Sequence, residues 1–180
     1  AMMMQKLVGA LALLVVLSGC SFEPPTMGPT ATAEAELTPC AFVWATHSLE
    51  QETAAAQARL AEAGLEDVNV QLVAFGEDCV YADGRVGGFG VMSVDVYLAI
   101  GWHDFSDQEG MGNRLEQVLQ VLLAAPADSY PANLQKTSVV FEGGNDAEDV
   151  RLGFEMTTAK QLLAEGKHGA AFLQALQVGN

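Results

Sequence analysis

From Val91 to Gly101 the chain reads VMSVDVYLAIG, in which Met92, Val94, Val96, Leu98 and Ile100 alternate with Ser93, Asp95 and Tyr97. A side-chain period of two belongs to a β-strand, and apolar residues at every second position give it one dry and one wet face. This argues against a sheet buried on both sides. It favours an antiparallel-rich sheet covered by helices on one face.

The segments around this strand fit such a sheet. AFVWATH reads as a short apolar strand, and Ser48 with Gln51 forms a capping box that predicts a helix. Leu49, Thr53, Ala56 and Leu60 share one side of that helix, and Gly64 ends it. VNVQLVAF is a second strand. The glycines of GRVGGFG lie between two strands, so they serve a turn and not a phosphate cradle. Ser106 and Glu109 make a second capping box, before a stripe of Met111, Leu115, Val118, Leu119 and Leu122 that Pro126 stops. SVVFE and VRLGFEM read as a hairpin across GGNDAED, Thr158 and Gln161 suggest a third box, and a last helix runs through Phe172 to Leu176. The order β-α-β-β-α-β-β-α predicts an α+β domain of ferredoxin-like character over residues 40–180. With a strand, a crossover helix and a parallel strand at its start, this topology sets the ends of the first two strands far apart.

Eight Lys and Arg stand against 23 Asp and Glu, a net charge of -15 spread along the chain. Such a surface repels phosphates and anionic headgroups, so no nucleic-acid partner is expected. Between Ser21 and Pro39 the sequence SFEPPTMGPTATAEAELTP has few large apolar residues and four prolines, Pro24, Pro25, Pro29 and Pro39. It reads as a flexible linker, with a reach of about 25 Å as a coil and up to about 60 Å as extended polyproline.

Before the linker, an apolar run from Leu7 to Leu17 follows Lys6 and closes in LSGC, Leu17 to Cys20. A spanning helix needs roughly 20 apolar residues, and this run is about half that. A charged start, an apolar middle and small residues before the end are the layout of an export signal. With a leucine three positions before a cysteine, LSGC resembles the lipobox of bacterial lipoproteins. The resemblance implies residues 1–19 as signal peptide, cleavage between Gly19 and Cys20, and diacylglyceryl and further acyl groups on Cys20. Residues 20–39 are then a lipidated cysteine and its tether. A single acyl chain, at about 0.8 kcal/mol per buried methylene, holds marginally, and two or more anchor stably. Ser21, where an Asp retains members of that family in the inner membrane, implies the outer membrane of a two-membrane cell. In a one-membrane envelope it implies the outer face of the cell membrane. In element order alone, Phe42 to Leu176 also resembles small α+β bacterial lipoproteins of no assigned function.

Beyond the anchor, chemistry is sparse. His47, His103 and His168 lack ligand spacing, so no metal or cofactor is expected. Asp104, Asp107 and Glu109 in WHDFSDQEG, and Asp146, Glu148 and Asp149 in GGNDAED, are acidic loops that capping, the helix dipole and turn formation explain without calcium. The expected function is a non-catalytic, lipid-anchored binding module of the cell envelope. It would take a protein or small ligand on the wet sheet face at Ser93, Asp95 and Tyr97. The alternative is an envelope hydrolase using Asp95, His103 and Asp104.

With Cys20 given to lipid, Cys40 and Cys79 remain, and outside the cytoplasm a pair is expected to oxidise. The crossover topology would hold them beyond the roughly 6 Å between Cα atoms that a disulfide spans. Either Cys79 lies on a strand that returns beside the start of the first, and the bond forms, or both thiols stay free.

Overall fold

A computed structural model describes residues 39–143 and 149–178. Cys20, the signal, nearly all of the linker, Asp146 and Glu148 lie outside the described residues. In chain order the elements are β1 (Ala41–Ser48), α1 (Glu50–Glu62), β2 (Val68–Val80), β3 (Val86–Gly101), α2 (Gln108–Leu123), β4 (Leu134–Glu142), β5 (Val150–Glu155), α3 (Met156–Ala164) and α4 (Gly169–Val178). The class is α+β, with a five-stranded mixed sheet of order β1-β2-β3-β4-β5. Only β3 and β4, joined through α2, run parallel; the other neighbours are antiparallel.

This order departs from the ferredoxin-like expectation, in which a crossover helix returns the chain to a parallel strand with another strand between. The reason lies in α1. It does not cross the sheet but continues the line of β1 along the edge of β2. Ser48 stands opposite Val73, and the Leu49 N–H donates to the Leu72 carbonyl at 3.0 Å. From there helical side chains replace a strand: Thr53 Oγ1 accepts from the Leu72 N–H at 3.0 Å, and Gln57 accepts from the Val70 N–H at 3.1 Å and donates to the Val68 carbonyl at 2.7 Å. Edge groups of β2 that would otherwise lack partners are thereby satisfied. Gly64, at φ 75°, turns the chain back, and β2 runs antiparallel to β1.

The dry face is as the alternation predicts, apart from its first residue. Val68, Val70, Leu72 and Ala74 of β2, Val94, Val96, Leu98 and Ile100 of β3, and Val139 and Phe141 of β4 are buried. Above them pack Ala56 and Leu60 of α1, Met111, Leu115, Val118, Leu119 and Leu122 of α2, and Phe172, Leu173 and Leu176 of α4. Met92 leaves the pattern. Phe75 faces Ser93 but Gly76 faces Val91, so Met92 is the extra residue of a bulge and is exposed.

The helix starts differ from the predicted boxes. The residue before α1 is Leu49, with no side-chain cap; α3 begins at Met156 after Glu155; and α2 is capped by Asp107, whose carboxylate accepts from the Gly110 N–H at 2.8 Å. Glu109 is spent elsewhere: it accepts from the Ala170 N–H at 2.9 Å, closing the first turn of α4. The two helices meet where Gly112 lies against Gly169, and a Cβ on Gly112 would run into the Gly169 carbonyl. Beside this crossing Glu116, nearly buried, pairs with His168 at 2.8 Å and accepts from Gln120 at 3.0 Å.

The disulfide between Cys40 and Cys79 is formed, with Cα atoms 5.3 Å apart. The topological objection to it fails because β2 returns beside β1: Phe42 faces Cys79 and Ala41 faces Val80.

Candidate functional site

Helices cover the sheet only where the first half of β2, the second half of β3, β4 and β5 lie. Beyond that, β1 and the outer halves of β2 and β3 continue as a three-stranded ribbon largely exposed on both sides. On the open face of sheet and ribbon the strand pairing sets Phe42 and Trp44 of β1, Phe75 of β2 and Tyr97 of β3. They are 70%, 61%, 38% and 44% exposed. The Trp44 and Phe75 rings stack with centroids 5.3 Å apart and planes 14° from parallel. Large aromatic rings gain most from leaving water, so four of them exposed on one face make this the candidate contact surface.

Of the three residues assigned to this face from sequence, Tyr97 fits best, standing between Gln71 of β2 and Ser138 of β4. Beside it is a depression of about 230 Å³ lined by Asn69, Gln71, Ala99 and Val140. Asp95 is half-buried, and its carboxylate accepts from the Lys136 N–H at 3.4 Å, a long bond. Ser93 is the correction: it is 6% exposed, opposite Phe75, and offers a ligand little. Phe42, Trp44 and Phe75 were not assigned from sequence, because AFVWATH opens with five apolar residues and gives no contrast between its two sides. Read for period, it places Phe42, Trp44 and Thr46 together on one side.

The opposite side of the ribbon has its own support. His47 Nε2 lies 3.0 Å from an Asp78 carboxylate oxygen, and the His47 ring rests 4.1 Å from that of Phe89. Phe89 lies over Gly76, where a Cβ would run into the Gly90 carbonyl and crowd the Phe89 ring. An aromatic ring covering a strand glycine supplies the packing that the glycine lacks.

The candidates for hydrolysis are not brought together. Asp95 lies mid-strand in β3, while His103 and Asp104 follow its end; six residues of strand rise to Gly101 alone amount to about 20 Å. Asp104 is occupied as well. Its carboxylate accepts from the Ser106 hydroxyl at 2.6 Å and the Ser106 N–H at 3.0 Å, and these bonds, the hydroxyl's first, hold it below the usual carboxylate range. Asp83 is lowered in the same way by the Arg85 guanidinium and N–H. Asp104, Asp107 and Glu109 thus serve a turn, a cap and a neighbouring helix. Asp149 meets Arg151 at 3.1 Å. Among the described residues no three His, Cys, Asp or Glu side chains are grouped to hold a metal ion.

A second cleft, of about 440 Å³, opens where α2 ends, between Met92, Leu122, Tyr130, Asn133, Leu134 and Lys160. Its titratable side chains are the Tyr130 phenol and the Lys160 amine. Tyr130 is held there as a strut, donating to the Leu122 carbonyl at 3.1 Å and accepting from Arg59 at 3.3 Å. No described helix is long and apolar enough to cross a membrane. No protein-family model, no curated protein and no solved structure matches the chain.

Proposed function

We propose that this chain is a lipid-anchored, extracytoplasmic binding module of the cell envelope, held to the membrane through Cys20, that takes a protein or small ligand on its open sheet face. The observation that carries the binding reading is the row of exposed aromatic rings, above all the Trp44–Phe75 stack, with the amides of Asn69 and Gln71 further along the face near Tyr97. Aromatic rings give contact area at little entropic loss, and neighbouring amides and hydroxyls give orientation. The extracytoplasmic reading is supported by the LSGC motif and by the Cys40–Cys79 bond, since disulfides persist in oxidising compartments. Ser21 after the cysteine supports the outer membrane where there are two membranes.

Two experiments test the halves of this reading separately. A fatty-acid probe should label the parent in cells and leave Cys20→Ala unlabelled and uncleaved; equal labelling of both removes the anchor. For the face, a photoreactive residue at position 97 should give an adduct in cells that weakens about tenfold in Trp44→Ala, the effect of losing one good anchor. The same adduct from position 62, exposed on α1, or indifference to Trp44→Ala, removes the binding face.

A further inference from the structure

The two edges of the sheet are guarded very differently. Strand β5 is six residues long and carries Arg151 and Glu155. Charges and shortness are the usual means by which an edge avoids pairing with another chain. Strand β1 has none of these devices. It is eight residues long, AFVWATHS, without a charge or a proline, and its register with β2 runs unbroken from Ala41 to Ser48. Among the described residues it is paired on one side only. The disulfide before it and the Leu49–Leu72 bond after it hold it extended.

The direction of its free hydrogen-bonding groups follows from one contact. The Leu49 N–H bonds inward to Leu72, and inward and outward residues alternate along an antiparallel strand. Residues 41, 43, 45 and 47 therefore bond to β2. Phe42, Trp44, Thr46 and Ser48 direct their N–H and C=O groups outward.

We propose that β1 pairs with β1 of a second copy of this chain, antiparallel about a two-fold axis at Trp44, making one continuous ten-stranded sheet. A two-fold axis normal to the sheet keeps the open face of one copy beside that of the other. In this register Trp44 faces its own counterpart and Phe42 faces Thr46, all four being outward-bonding positions. The stack of Phe75 on Trp44 then continues across the axis, and aromatic pairs are among the favourable cross-strand contacts. Val43, half-exposed on the other side, meets Ala45.

A second copy fits because the edge is self-complementary about Trp44, and charge does not oppose that approach. A chain of net charge -15 repels itself wherever acidic residues meet, and β1 offers an approach with none. The nearest acids behind it, Glu77 and Asp78, lie on β2, three strand spacings or about 14 Å from their counterparts, beyond a Debye length of about 8 Å. The backbone bonds of the pairing use the edge, but Trp44 belongs to both edge and face, so Thr46→Pro, which leaves the aromatic rings in place, separates the pairing from what the face binds.

Sedimentation velocity on the purified chain at rising concentration tests it. The parent should pass from one to two protomer masses. Thr46→Pro removes an outward N–H and no bond to β2, and Trp44→Lys sets like charges across the axis. Each should weaken association about tenfold or more, with an unchanged circular dichroism spectrum. A single protomer mass at the highest loading overturns the proposal, as does a dimer unmoved by Trp44→Lys. Should Thr46→Pro unfold, Trp44→Lys decides alone. A parent that stays monomeric but takes up an added uncharged, extended peptide also overturns it, in favour of a foreign strand.

Discussion

The helix-covered half of the sheet and the ribbon beyond it are made from the same strands, yet they are held by different forces. In the covered half, β2 and β3 bury every second side chain under α1, α2 and α4, and dry apolar area supplies the stability. A few residues further along, the same two strands have water on both sides. There the hold comes from a disulfide, a histidine–aspartate pair, two aromatic contacts and backbone ladders. A strand's alternation therefore reports its neighbours as much as itself: Val94 and Val96 are buried in the core that the helices close, whereas Val43 and Val86 lie outside it and are exposed.

The comparison breaks most readily in the covered half. Phe141→Ala opens a cavity at a fully buried site and should cost about 3–5 kcal/mol in denaturant unfolding. A loss below about 1 kcal/mol would mean that the covered half is not the core. In the ribbon, Cys40→Ala with Cys79→Ala frees a loop of sequence separation 39, worth about 4 kcal/mol in the chain-entropy model. Hydrogen exchange should show β1 amides opening first while those of β4 stay protected; uniform loosening would make the ribbon part of one cooperative unit with the core. Gly112→Ala forces α2 from α4 and should cost about 1–3 kcal/mol, seen as a lower melting temperature. An unchanged value would show that the crossing has slack. Smallest of all, Trp44→Ala should shift monomer stability by less than about 0.5 kcal/mol, because its ring is mostly in water already. A larger loss would make the aromatic row structural and weaken its claim to a ligand.

What could be read in advance divides along the same line. Covered strands and helices announce themselves through burial period, and Val94 to Ile100 or Met111 to Leu122 are legible because packing writes itself into spacing. Neighbour order is not written that way. Nothing in SLEQETAAAQ says that Thr53 and Gln57 will take the place of a strand beside β2, since a polar residue on a helix looks the same whether it meets water or a backbone. The capping boxes misled for a related reason: Ser-x-x-Glu at Ser106 matches a local pattern, but Asp107 and Ala170 outbid the local partners. The site was half legible. Tyr97 and Asp95 follow from one strand's alternation; Trp44 and Phe75 required knowing that β1 stays uncovered, and that is a property of the assembled sheet.

The Cys40–Cys79 bond also has a mechanical consequence. It closes a covalent ring containing β1, α1 and almost all of β2, so tension entering at Cys40 crosses to Cys79 through two sulfur atoms and bypasses everything inside. Stretched from its ends, the oxidised chain keeps hidden the contour of a 39-residue separation, about 135 Å at full extension. Beneath a tug on its leading end, β1 is neither sheared nor unzipped: the load goes straight to the rim of β2, and the strand with the exposed aromatic rings stays slack.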